Sequence, residues 1–285
     1  KQKTAYEISL GLVGSEMCIR DSYKIIQFDF GYSWVLQSDW GTRKVSDIIL
    51  SRVPRTILLF GTATIITILI GVYLGLKAAI KPGSFLDKFI TVTGLIGWSF
   101  ASWWVGMLMI YVFSFLLSRS VGFMVFPPGH MNSVPIPKDP IAYALDVAWH
   151  MVLPVTSMVL VAYGGWALIT RNLVIGIMTE DYVMTARAKG LPERKILYGH
   201  VLRNAAPPII TMVVLALAGT FGGAIITEAV FSWPGMGQLY WNAVMNMDVP
   251  IIMGLLYIST ILLVAAILIA DILYGIFDPR VKVGV

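Results

Sequence analysis

Residues 56–76 read TILLFGTATIITILIGVYLGL. Nothing in this run is charged. At 1.5 Å of rise per residue, a helix of this length crosses a hydrocarbon core of about 30 Å. The run is apolar all round rather than along one stripe, as suits a helix surrounded by lipid and other helices. Four more runs behave alike. Phe89–Ser118 is the longest and carries Trp98, Trp103 and Trp104. Val147–Thr170 is uncharged when His150 is neutral, and is read as a span over 149–170. Asn204–Thr227 follows. Val249–Ala270 is the last and is read as a span over 249–273. The expected fold is an all-α membrane protein, a polytopic transmembrane helix bundle with five visible spans at 56–76, 89–118, 149–170, 204–227 and 249–273.

Composition agrees. Of 285 residues, 57% are apolar and 13% charged, with a mean hydropathy of +0.78. A soluble domain carries about a quarter charged residues. Gly71, Gly75, Gly164, Gly165, Gly219, Gly222 and Gly223 fall in the apolar runs, where small residues let helices approach closely. The lone Cys18 excludes an internal disulfide framework, and no Cys lies near His130, His150 or His200 to make a metal-ligand cluster. The net charge of +5 is assigned to loops on one side of a membrane and not to a nucleic-acid partner.

The basic residues give an orientation. Lys77, Lys81 and Lys88 follow the first span, and Arg171, Arg187, Lys189, Arg194, Lys195 and Arg203 lie in the loop 171–203. Arg280 and Lys282 are in the tail. Alternating spans put all of these on one side and leave Arg119 and Lys138 in the opposite loops. The richer side is read as cytoplasmic, and with it the C-terminus. Arg43, Lys44, Arg52 and Arg55 precede the first span on the poorer side and run against the rule. An external segment there calls for an earlier span. Residues 4–22, TAYEISLGLVGSEMCIRDS, match neither a signal peptide nor a span, because the apolar run is short and Glu16 interrupts it. They resemble a translated adapter-like stretch. Residues 1–22 are therefore expected to be non-native and to stand where a sixth, N-terminal span belongs, ahead of a transmembrane domain at 23–283.

The loop 171–203 contains EDYVMTARAKGLPERKILYGHVLRNA, from Glu180 to Ala205. Glu180 and Asp181 suit the first turn of a short helix. Tyr182, Val183 and Ala186 can share a face. Gly190 ends that helix where a left-handed residue is needed, and Pro192 opens the next. The result is a helix–turn–helix between two spans, with small Ala186 and Ala188 read as exposed beside Arg187 and Lys189. Small residues permit close docking, and cations suit an acidic-rimmed groove. An ordinary basic loop fits the same residues.

This run closely resembles the EAA-type cytoplasmic loop of ABC importer permeases, and more narrowly the dipeptide/oligopeptide group, first-permease type. A second signature, Glu228-Ala-Val-Phe-Ser-Trp-Pro-Gly-Met-Gly237, agrees, as do Asp248-Val-Pro-Ile-Ile-Met-Gly254 and Asp278-Pro-Arg280. The resemblance implies a permease subunit in a prokaryotic plasma (inner) membrane. Its loop would dock on separate ATP-hydrolysing subunits, and ATP binding there would rock the spans. It implies as partners a second homologous permease subunit, two ATP-binding subunits and an extracytoplasmic solute-binding protein. By the same resemblance Ala186, Arg187 and Gly190 form the coupling centre, with Asp181, Thr185, Lys189 and Leu191 around it. The family's leading Glu-Ala-Ala is represented here by Met184-Thr185-Ala186, so an acidic residue at that position is not implied. The sequence has no Gly-x4-Gly-Lys-Ser/Thr run, so no cofactor is expected on this chain and ATP is expected on partners.

Other residues carry weaker signals. Phe231–Gly237 lies on the outer side, where Pro234 and Gly235 break a helix and Trp233 suits the interface; it shapes the mouth of a pathway or is a plain turn. Asp248 ahead of Pro250 reads as a helix cap, with a solute ligand as the alternative. Asp271 is ionisable within a span, near its inner end. His150 and Asp146 read as interfacial. The loop 119–146, with Pro127, Pro128, Pro135 and Pro137, is a connector or a lid. A secondary transporter would need several mid-span charges or an inverted repeat, and an intramembrane enzyme would need paired catalytic groups; neither pattern occurs. Di- or oligopeptides are the expected solutes, with oligosaccharide, nickel and glutathione as alternatives within the same machinery.

Overall fold

The computed structural model describes residues 27–220 and 223–277. The expectations for residues 1–22, and for a span that belongs there, lie outside them. Among the described residues the chain is helical, with one isolated bridge between Tyr32 and Lys44. Five helical stretches among the described residues are long and apolar enough to cross a membrane: Val45–Ile80, Ser102–Val121, Pro140–Met178, Leu197–Leu217 and Val249–Ile269.

The first span, α1 (Val45–Ile80), begins well before Thr56. Charge ends a hydropathy run without ending a helix. Arg52 and Arg55 sit in the N-terminal part of α1, where both pair with Asp39 and Arg52 donates to the Pro234 carbonyl at 3.2 Å.

The second uncharged run is not one helix. α2 (Phe85–Trp98) stops at Ser99, and α3 (Ser102–Met109) restarts after extended Ala101. A π-helical stretch (Ile110–Leu116) and α4 (Leu117–Val121) complete the crossing. Ser99 Oγ donates to the Leu95 carbonyl at 2.9 Å, a local bond that competes with helix continuation. Absence of charge does not register such a break.

The 39-residue α5 (Pro140–Met178) is the axis of the bundle. Asp139 caps it, accepting from Ala142 N–H at 2.9 Å. α1 runs parallel beside it: Leu59 packs with Val155, and Ala79 with Val174. α2 runs antiparallel to it. The approach there is closest at Gly94, where an added Cβ would lie 2.8 Å from Gly164 Cα. That is backbone against backbone, which only glycine allows.

Past the loop, α6 (Asp181–Ala188), α7 (Glu193–Ile196) and a π turn (Leu197–Val201) lead into α8 (Leu202–Gly219). The fourth span therefore ends at Gly219 and not at Thr227. Gly223 has φ +60° and Ala224 is extended, so the chain reverses. A helical hairpin follows, α9 (Ile225–Val230) and α10 (Met236–Met245), before α11 (Val249–Phe277) returns through the bundle.

Two of the buried clusters sit at opposite ends of the bundle. Val45, Ile48 and Ile49 pack with Met236, Leu239, Ala243, Ile251 and Leu255 at one end. Ala79, Val174, Val183, Ala186, Ile196 and Val201 pack together at the other.

Candidate functional site

The helix–turn–helix forms as its residues dictate. Asp181 opens α6 and Gly190 closes it with φ +75°. Gly190 N–H donates to the Arg187 carbonyl at 2.9 Å and Leu191 N–H to the Ala186 carbonyl at 3.3 Å. This paired pattern, with a left-handed residue in the middle, is a Schellman stop. Pro192 then starts α7, its carbonyl accepting from Lys195 and Ile196 N–H at 2.8 and 3.1 Å.

One placement differs from expectation. Ala186 is buried, only 7% exposed, together with Val183. The small residue packs on its own chain, in the cluster with Ala79, Val174 and Ile196. The other side of α6 is exposed: Asp181, Thr185, Arg187, Ala188, Lys189 and Gly190 all face outward, and Leu191 is half-buried. Arg187 Nε donates to Glu193 across the turn at 2.8 Å. Thr185 Oγ1 turns back to the Asp181 carbonyl at 2.9 Å. Ala186 thus fixes the helix to the ends of α1 and α5, and the face left exposed carries Thr185, Arg187, Ala188 and Lys189.

The second site is the hairpin at the opposite end. Glu228, on α9, is fully buried. Its carboxylate accepts from Gln238 N–H at 3.0 Å and from the Thr56 hydroxyl at 2.9 Å. Thr56 Oγ1 in turn accepts from Met236 N–H at 2.8 Å. Met236 and Gln238 are in the first turn of α10, whose amides have no partner within the helix. A threonine from α1 and a glutamate from α9 therefore cap α10 jointly. Gly235 is required for this: a Cβ there would lie 2.5 Å from the Glu228 carboxyl carbon.

Trp233 is fully buried in the chain, and its Nε1 donates to the Arg55 carbonyl at 2.9 Å. Phe231 is also buried, packed with Met109 and Leu153. The turn is thus bolted to α1 on one side and to α3 and α5 on the other. The loop before α5 joins it: His130 N–H donates to the Phe231 carbonyl at 2.8 Å, and Ser133 binds Asp146 through its N–H and hydroxyl, each at 2.7 Å. His150 is buried in the chain, with Nδ1 2.8 Å from the Asp146 carbonyl oxygen.

Asp248 immediately precedes α11, but its carboxylate turns away from that helix. It accepts from the Ser33 hydroxyl at 2.5 Å and from Trp34, Val35 and Leu36 N–H at 3.2 to 3.4 Å. Burial opposes its charge, yet the Ser33 hydroxyl and these amides outweigh burial and hold the carboxyl below its usual range. Asp248 is thus a clamp on the segment before α1, neither a simple cap nor a solute ligand. Asp271 is exposed on α11.

Between the N-terminal halves of α1 and α5 lies a cavity of about 630 Å³. Leu58, Ile66, Val147, Met151 and Val155 make its wall, with Thr62, Thr156 and Tyr143 as its polar groups.

Residues 57–283 match the family described as binding-protein-dependent transport system inner membrane component. The chain belongs to this family. The permease is 36% identical over 258 residues to the oligopeptide transport system permease protein AppB of Bacillus subtilis (strain 168), covering 90% of this chain and 77% of that one. It is 32% identical over 258 residues to the dipeptide transport system permease protein DppB of the same organism, covering 90% and 76%. It is 34% identical over 263 residues to the peptidoglycan transport system permease protein YejB of Agrobacterium fabrum (strain C58 / ATCC 33970), covering 91% and 69%. Its fold resembles a chain of the inward-facing MetNI methionine ABC transporter, with a TM-score of 0.61 at 16% identity, covering 81% of this chain and 96% of that one.

The permease is a multi-pass inner-membrane component of a prokaryotic binding-protein-dependent ABC importer. Membership in this family implies ATPase and solute-binding partners in general. Sequence reading located the loop and the segment 228–237 but missed what holds the latter. Thr56 and Glu228 are 172 positions apart, and neither residue type signals a shared cap.

Proposed function

We propose that the permease forms the membrane pathway for di- and oligopeptides and is coupled, through the helix–turn–helix around Gly190, to two separate ATP-hydrolysing subunits. A second homologous permease subunit completes the pathway, and an extracytoplasmic solute-binding protein delivers the solute. The loop 171–203 and the C-terminus are cytoplasmic. The peptide assignment rests on the solutes named for AppB and DppB. The coupling assignment rests on the two faces of α6. Val183 and Ala186 bury one face against residues at the inner ends of α1 and α5, while Thr185, Arg187 and Lys189 leave a cationic face outside. A force applied to the outer face is therefore delivered to two spans at once.

Gly190→Asp tests this. The site is open, and aspartate tolerates a left-handed backbone better than most residues, so the substitution meets backbone strain but no steric clash. The added negative charge lies beside Arg187 and Lys189. The expected result is normal membrane insertion with loss of solute-stimulated ATP hydrolysis in the assembled importer. Normal coupled turnover refutes the coupling role. The ligand of the cognate binding protein, identified by mass spectrometry of the purified complex, tests the peptide assignment; a non-peptide ligand refutes it.

A further inference from the structure

We infer that a second cavity, beside the coupling helix, is a socket for the ATP-hydrolysing subunit, and that it takes from that subunit a turn of chain carrying an apolar side chain next to a carboxylate. The inference rests on the coupling role proposed for α6. It adds a contact in the reverse sense, a projection of the partner seated in this chain. The cavity has a volume of about 660 Å³. Spaces of this order enclose whole small molecules, so a turn of chain fills it and a single side chain does not.

The cavity stands on the aqueous side of the crossings. One wall is Ile80, Met178 and Leu197. Ile80 lies between Lys77 and Lys81, past the uncharged run 56–76. Met178 is in the same helix as Thr170, where the run 149–170 ends, and lies roughly 12 Å beyond it at 1.5 Å per residue. Leu197 belongs to the loop 171–203. The wall is apolar although water reaches it: Ile80 is 43% exposed, and Tyr198, which also lines the cavity, is 62% exposed. Covering such a surface with another protein is favourable.

The position of the cavity selects the partner. Arg187 of α6 and Glu193 of α7 line it, and their ion pair, with Nε donating at 2.8 Å, forms its edge. A subunit seated on Thr185, Arg187 and Lys189 therefore reaches the cavity without leaving the face it docks on. The chemistry of the occupant follows from the rest of the lining. Arg187 is committed to Glu193, which leaves Lys81, exposed and without an ion pair among the described residues. Lys81 calls for a carboxylate. Ile80, Met178, Leu197 and the ring of Tyr198 call for an aliphatic or aromatic side chain beside it, and tyrosine is among the residue types that anchor interfaces. A seated projection ties the ends of α1 and α5, through Lys81 and Met178, to the subunit that pushes on α6.

The test is photo-cross-linking in the whole importer, with p-benzoylphenylalanine in place of Tyr198 and the adduct located by mass spectrometry. The expected adduct is on the ATP-hydrolysing subunit, at a residue next to an Asp or Glu. Met178→Trp fills the cavity from its wall and should cut the yield about tenfold. With the ATP-hydrolysing subunit added below saturation, Lys81→Gln should cut it about threefold, the effect of removing one partner of an exposed ion pair. The same photoprobe in place of Ala188, on the exposed face of α6, should react with the ATP-hydrolysing subunit in all three backgrounds. Reaction from 188 but not from 198, or an adduct from 198 only with lipid or with the second permease subunit, overturns the socket and leaves the coupling role standing. Yields from 198 that Met178→Trp and Lys81→Gln leave unchanged also overturn it. Absence of reaction with the ATP-hydrolysing subunit from both positions overturns the coupling role and the socket together.

Discussion

The Thr56 hydroxyl donates to Glu228 at 2.9 Å and accepts from Met236 N–H at 2.8 Å. One side chain thus joins α1 to both helices of the α9–α10 hairpin. Thr56→Val keeps the shape and removes both bonds. Leaving buried partners unsatisfied costs roughly 1–3 kcal/mol. The thermal midpoint of the purified permease should fall accordingly, and Thr56→Ser should recover it. An unchanged midpoint in Thr56→Val would show that the joint cap contributes nothing.

The two faces of α6 predict a separation of effects. Ala186 is packed inside the chain, so Ala186→Leu should overpack the cluster around Val174 and Ile196, at a cost of about 1–3 kcal/mol. The expected readout is lower membrane abundance. Arg187→Ala, on the exposed face, should keep abundance and reduce solute-stimulated ATP hydrolysis. Quantitative immunoblotting and ATPase rates on the same preparations check both; loss of abundance in Arg187→Ala would remove the distinction.

Gly94 and Gly164 meet backbone to backbone. Gly164→Leu should force α2 away from α5 and block assembly of the bundle. Tyr163 and Asp87 report on the same seam, through Thr93 at 2.9 Å and through Arg171 Nη2 at 2.8 Å. Cross-linking by a bifunctional thiol reagent between cysteines introduced at Thr93 and Tyr163, long enough to replace the Tyr163 ring, should be efficient in the wild-type background and lost in Gly164→Leu. Retained cross-linking would show that the seam tolerates a side chain.

Asp248 predicts a pH dependence. Its folded pKa is depressed, so its contribution is complete above the ordinary carboxylate pKa and is lost as pH falls through the lower, folded value. Hydrogen exchange of residues 31–36 should stay slow from neutral pH through mild acid and rise, after correction for intrinsic rates, only in strong acid. Asp248→Asn should raise it already at neutral pH. Slow exchange in Asp248→Asn at pH 7 would count against the clamp.

Much of this fold is legible in the chain, because hydropathy measures the medium around a segment. Each uncharged run corresponds to a crossing, and the stop at Gly190 could be read because a left-handed residue followed by proline is a local instruction. Local signals also mislead where backbone and medium part company. Arg55 bounds the hydropathy run inside α1, whereas the helix extends back past it because Asp39 receives the charges of Arg55 and Arg52. Phe89–Ser118 passed for one helix because the break at Ser99 changes backbone geometry without adding charge.

The sequence by itself determined a bundle of apolar crossings, a basic loop with a coded turn, and the kind of subunit that carries them. Only the tertiary structure decided what the buried polar groups do. Glu228, Thr56, Trp233 and Asp248 each spend their hydrogen bonds on segments remote in the chain. It also turned Ala186 inward, since a small residue on a short helix goes to whichever surface approaches closest. Here that surface is the chain's own pair of spans, and the cationic face of α6 is the one left free.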